Sequence, residues 1–225
     1  TQSGNITIDV ASGKTLSYSG AALSLGAHTL TLGGAGRFSN TNALLLNNAG
    51  SKLLLDSITV DNVSTSSNSL GLDVDADSTV TSLSVAHTTP VSIASGKTLS
   101  GAITVSGGSI KLGEAGTLAS TLSMSGGTLD ADESMTLSGP LSHTADITID
   151  VAEDKTLTYS FSPSPVLSLG AYTLTLTGGG YLVSGGLDLN NASSKLLLNS
   201  ITVDNVSTSA DSLGLDVDDD STVSS

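Results

Sequence analysis

The chain has 225 residues, 38% of them apolar, yet only 3% are aromatic and there is no Cys or Trp. A core of this composition must be made of thin aliphatic layers, because the large buried areas that aromatic rings bring to globular interiors are missing. Twenty-one acidic residues against seven basic ones give a net charge of −14, which argues against nucleic-acid binding and against adsorption to anionic membranes.

The opening TQSGNITIDV has neither the basic start nor the apolar stretch of a signal peptide. The chain is therefore expected to be an internal piece of a longer protein. No run reaches the roughly 18 apolar residues needed to span a bilayer, so membrane insertion is not expected. Ile6-Thr7-Ile8-Asp9-Val10 then alternates apolar and polar residues, the period of a strand with one buried face. Leu30-Thr31-Leu32 repeats the pattern after the turn in LGAHTLTL, and NNAGSKLLL carries a similar turn into Leu53. Next come SITVDNVSTSS and Leu72-Asp73-Val74-Asp75. Four related segments follow, VSIASGKTL, SIKLGEAGTL, TLDADESMTL and TIDVAEDKTL, closing on Leu99, Leu118, Leu137 and Leu157. LGAYTLTL, NNASSKLLL and DVDDDSTV complete the chain.

These elements repeat at two scales, and a repeat decides how such a fold is read. Residues 51–80 recur at 194–223, a shift of 143, with differences only at positions 56, 67, 68 and 76 of the first copy. ITIDVASGKTLSYS at 6–19 likewise returns as ITIDVAEDKTLTYS at 147–160. The organisation is thus one first copy over 6–146 and a partial second copy over 147–225, within a single continuous unit. On the shorter scale, eleven turns fall between Leu16 and Val223, about 21 residues apart. The interval from Leu53 to Val80 is longer, which predicts an extra or longer strand there and again between Leu196 and Val223.

Helix is excluded by the frequent Gly and β-branched residues and by the lack of a 3.6-residue stripe. An antiparallel meander would use tight Asn-Gly or Asp-Gly hairpins, and the sequence contains neither dipeptide. Regularly spaced apolar residues exclude disorder. The fold expected is all-β, a right-handed parallel β-helix (β-solenoid) of about eleven coils with roughly 19–27 residues each, in which every coil rests on its neighbours.

The segments ITIDVASGKTLSYSG, VSIASGKTLSGAITVSGG, LSLGAHTLTLGGAG and LSMSGGTLDADESMTLSG resemble the β-helical repeats of large bacterial haemagglutinin- and adhesin-like surface proteins, including autotransporter passengers. The resemblance covers essentially the whole chain but specifies the coil rather than a particular adhesin. It implies secretion to the bacterial cell surface, an elongated stalk, and contact with surfaces or other cells. The partners expected are neighbouring repeats of the same chain and host or environmental glycans. It brings no catalytic residues.

The residues themselves agree that no enzyme is expected, and no catalytic, cofactor-binding or metal-binding residue is assigned. Lyase chemistry commonly needs a basic residue, yet Arg37 is the only Arg. The six Lys are expected in turns, where Lys14, Lys97 and Lys155 recur at one turn position and Lys52 matches Lys195. His28, His87 and His143 are scattered, and the repeat puts Tyr172 where His28 stands, a poor place for a base. The acidic runs Asp73, Asp75, Asp77 and Asp216, Asp218, Asp219, Asp220 are the nearest approach to a calcium site; the preferred reading is a solvated strand face. Thr29 and Thr31, or Thr173, Thr175 and Thr177, would form a flat threonine array only if consecutive coils repeated them, and Ser, Asp or Lys is expected there instead. Asn47-Asn48 and Asn190-Asn191 are expected to stack as amide ladders inside a bend. The few rings (Tyr18, Tyr159, Tyr172, Tyr181, Phe38 and Phe161) provide little on which a sugar could stack.

Overall fold

The computed structural model describes residues 3–162 and 166–224. All regular structure among them is β, in 29 short strands joined by turns. Every recorded pairing is parallel, and strands pair across the chain rather than with their sequence neighbours. The molecule is therefore a parallel β-solenoid of eleven coils, as the sequence predicts.

Each coil has three sides. The first is a continuous eleven-stranded sheet running from Ile6–Asp9 through Lys52–Asp56 and Ser109–Gly113 to Gly214–Val217. The second begins at Thr15–Tyr18 and ends at Thr222–Ser224. In the third to fifth coils its strands, Thr59–Thr65, Ser78–Val85 and Thr98–Val105, are long enough to continue around a corner onto the third side. In other coils that corner is a break between two shorter strands, such as Thr117–Leu118 and Thr121–Met124. Toward the C-terminal end the third side is a separate sheet of Val166–Ser168, Gly186–Leu189 and Val206–Thr208.

Alternation sends every second side chain of a strand inward, and the ladders stack these into columns. Leu30 pairs with Leu53 and Leu53 with Leu72; on the second side Leu99 pairs with Leu118 and Leu118 with Leu137. Nearly all of these residues are fully buried. Among the described residues only two rings, Phe38 and Tyr159, are buried in the core. Corners impose their own demands. Gly101 has φ +124°, and a Cβ there would lie 1.8 Å from the carbonyl oxygen of Val80 in the coil below, so no other residue fits the bend. Ser57 and Ser200, equivalent in the two copies, occupy the left-handed region at φ 56° and 54°.

The coil lengths require one correction. Leu53 pairs with Leu72, not Val80, while Val80 lies on the second side and pairs with Val60. The interval from Leu53 to Val80 thus crosses a corner and holds no enlarged coil, and the same applies from Leu196, which pairs with Leu215, to Val223. SITVDNVSTSS does supply the longer strand expected there, Thr59–Thr65, whereas the second copy divides it into Thr202–Asp204 and Val206–Thr208. The longest coil lies elsewhere, between Ile147 and its partner Leu174, and includes residues 163–165, outside the described residues.

The outer faces as candidate functional surface

With the interior filled by aliphatic columns, any site must lie on an outer face or at an end of the rod. The acidic runs do not converge. Asp73 points outward from its strand and forms an ion pair with Lys52 of the preceding coil. Asp75 is exposed in the turn beyond. Asp77 accepts a hydrogen bond from the Thr98 amide of the following coil at 2.9 Å. In the second copy Asp216 pairs with Lys195 at 3.1 Å, and Asp218, Asp219 and Asp220 lie exposed at the last turn. Among the described residues, no group of three or more His, Cys, Asp or Glu side chains is arranged to hold a metal ion.

The lysines are more strand-borne than the sequence predicts. Lys52, Lys111 and Lys195 lie within strands of the first side and ion-pair with the next coil, whereas Lys155 pairs from a turn with Glu133 of the preceding coil at 2.7 Å. Lys111 reaches Asp130 at 2.7 Å and Asp132 at 3.9 Å. The hydrogen bond and the charge of Asp130 raise the Lys111 pKa above its ordinary value. Asp150 stacks directly on Asp130, and partial burial, with Asp130 and Asp132 adding repulsion, raises its carboxyl pKa.

A second polar network escaped the sequence reading. Arg37 ion-pairs with Asp61, and Ser39 donates to the same carboxylate at 2.6 Å. Beside it Asn40, almost completely buried, donates through Nδ2 to the Asn62 carbonyl at 2.7 Å, and Asn62 returns the bond to the Asn40 carbonyl at 2.8 Å. This is the inter-coil amide pairing that the sequence predicts at Asn47-Asn48. Those residues are exposed and act instead as turn caps: Asn47 accepts from the Gly26 amide of the coil before, and Asn48 accepts from Gly50 within its own turn. Asn190 and Asn191 repeat both bonds, with Gly170 and Ser193. The reason is positional, since these asparagines follow the strand end and face solvent rather than the bend interior.

Threonines do align across coils, though not mainly those singled out. Thr29 and Thr173 stack on lysines, as expected, and Thr177 stacks on Asn199. Thr175, however, continues a column with Thr148 and Thr128. On the second side Thr98, Thr117, Thr136 and Thr158 form a column across four consecutive coils. His28 and Tyr172 occupy equivalent corners, each carbonyl accepting from Lys52 or Lys195 respectively. His87 is exposed, and His143 bonds through Nδ1 to the Ala145 carbonyl at 3.1 Å and packs edge-on against Tyr172. The three histidines share no site.

One concavity is apolar, a cleft of about 290 Å³ lined by Ile6, Ile8, Leu16, Tyr18, Leu23 and Phe38. Another, of about 410 Å³, is polar and lined by Asp218, Asp219 and Asp220 with Val217 and Ser221. No helix among the described residues is long and apolar enough to cross a membrane. No protein-family model matches the chain, and no curated protein or solved structure shows significant similarity to it.

Proposed function

We propose that the chain is a rigid spacer, a stalk segment of a secreted adhesive protein on a bacterial cell surface, without catalytic activity. What carries this reading is the coincidence of a 143-residue sequence repeat with an uninterrupted coil stack. In such a stack, duplication adds length without disturbing existing contacts. With strands about 4.8 Å apart, eleven coils make a rod of roughly 50 Å. The outward charges support the same reading, because the ion pairs join one coil to the next rather than converging on a ligand.

A second reading, glycan binding along an outer face, is favoured by one observation, the column of Thr98, Thr117, Thr136 and Thr158. Its threonines are partly exposed at the regular spacing of the coils. Against it, Tyr181 is the one clearly exposed Tyr or Phe ring among the described residues. A polysaccharide and glycan array, run with calcium and then with EDTA and followed by an assay for cleavage of each hit, separates the two. The spacer reading expects no saturable binding and no cleavage. Saturable binding that is lost on replacing Thr117 and Thr136 by Val would transfer the function to the threonine column, and cleavage would overturn both readings.

A further inference from the structure

We propose that Tyr181, Val183 and Asp204 form a docking site for an arginine side chain of a partner polypeptide, at one position on the outer second side of the rod. The site goes beyond the spacer reading and stands or falls independently of it.

The two copies of the long repeat share ten consecutive residues, SITVDNVSTS at 57–66 and at 200–209. Asp61 and Asp204 hold the same place in them. From the following coil each carboxylate accepts one hydroxyl: Thr81 donates to Asp61 at 3.4 Å, and Ser224, the counterpart of Thr81, donates to Asp204 at 2.6 Å. From the preceding coil Asp61 takes two more partners, the Arg37 guanidinium and the Ser39 hydroxyl. The second copy supplies neither to Asp204, because Tyr181 stands where Arg37 does and Val183 where Ser39 does. The ladders fix that equivalence. Arg37 pairs with Thr59 and Phe38 with Val60, just as Tyr181 pairs with Thr202 and Leu182 with Val203. Among the described residues no Lys or Arg forms an ion pair with Asp204.

Tyr181 and Val183 add nothing to the interior. They flank the buried Leu182 on the outer face and are 47% and 38% exposed. The coils on both sides are present here, since Thr156 pairs with Tyr181 from the preceding one and Thr202 from the following one. The exposure therefore belongs to the outer face of the stack. Placing tyrosine and valine where the first copy has arginine and serine gives up an ion pair and bares apolar surface, with no burial in return.

An exposed ring beside a carboxylate that lacks a cation is the chemistry that recognises one. A cation is attracted to the ring face within about 6 Å. A planar guanidinium can stack there while its edge donates to the carboxylate. Arg37 shows that this position of the fold accommodates the group: it starts from the place that Tyr181 holds and reaches a carboxylate two residues along the next coil. A partner's arginine arriving from solvent brings the same group to Asp204, over the Tyr181 ring, with its aliphatic stem against Val183. An ammonium is more strongly hydrated and stacks less well, so arginine is preferred to lysine. The net charge of −14 draws basic segments toward the whole surface; the ring and Asp204 fix where one is held.

The test is an NMR titration of the whole chain with Ac-Gly-Arg-Gly-NH2, a peptide with a single arginine. A constant ionic strength of about 0.15 M suppresses diffuse attraction. Signals of the Tyr181 ring and of the amides of residues 202–205 should shift saturably, while those around Asp61 should stay in place. Replacing the arginine by citrulline, which keeps the shape and removes the charge, should weaken binding about tenfold or more, the scale of one charge-assisted hydrogen bond. Asp204→Asn and Tyr181→Ala should each do the same. Tyr181→Arg rebuilds within the second copy the pair that Arg37 makes with Asp61. It should abolish peptide binding without lowering Tm. No saturable shift at Tyr181, equal binding of the citrulline peptide, or undiminished binding by Tyr181→Arg would each overturn the proposal. So would a neutral oligosaccharide that saturates the ring signals where the arginine peptide does not. None of these outcomes with the peptides bears on the spacer reading, which the glycan array tests separately.

Discussion

Asp150 shows how a stacked geometry acts on a single side chain. A parallel ladder sets equivalent residues one above another, so a carboxylate repeated in consecutive coils meets its own kind at strand spacing. Asp130 under Asp150 is such a case, and Lys111 relieves it from the coil below through Asp130. Partial burial and the neighbouring Asp130 and Asp132 raise the Asp150 pKa in the folded protein. Its ionised form therefore opposes folding. That penalty is absent below the ordinary carboxyl value of about 3.9 and sets in as pH rises through the higher folded value. Asp150→Asn should stabilise the protein at pH 7 by about 0.5 kcal/mol, the scale of exposed charge interactions, or roughly 1–2 °C in Tm. The gain should vanish near pH 3 in thermal melts. Lys111 has the opposite sign: its raised pKa favours the fold at every pH below the ordinary lysine value, so Lys111→Gln should lower Tm at pH 7. A gain from Asp150→Asn that persisted at pH 3 would place its cause outside this charge cluster.

A single coil cannot bury its own apolar residues, and its stability comes from the layers above and below. Leu118 is 1% exposed between Leu99 and Leu137. Truncation to Ala leaves a cavity between two layers and should cost about 3 kcal/mol, roughly 6–12 °C in Tm. Leu118→Asp, which buries an unpaired charge, should locally unfold the coils around it. An unchanged melting curve for either variant would contradict the layering. This layer was legible in the sequence because TIDV, TLDA and SIKL alternate with period two and their closing leucines recur at near-constant intervals. Which side of the coil a turn belongs to was not legible. Leu53 and Val80 both follow a short polar turn and both point into an aliphatic interior, yet they stand on different sides. Because all three sides face one uniform core, residue type marks the corner but not which corner it is. The inter-coil partners were hidden for a related reason: Asn40 and Asn62 are 22 residues apart, and only the register of the strands brings them together.

At the scale of the whole rod, stability should vary along the axis. Each interior coil has two neighbours and each terminal coil only one, so opening begins at the ends and moves inward. Hydrogen exchange followed by mass spectrometry should find the slowest amides in the middle coils around Leu112 and Leu129. Protection should decline coil by coil toward Ile8 and toward Val217. Uniform protection would instead mean that the eleven coils open as one cooperative unit, and the additive logic by which a duplicated repeat lengthens a spacer would no longer hold.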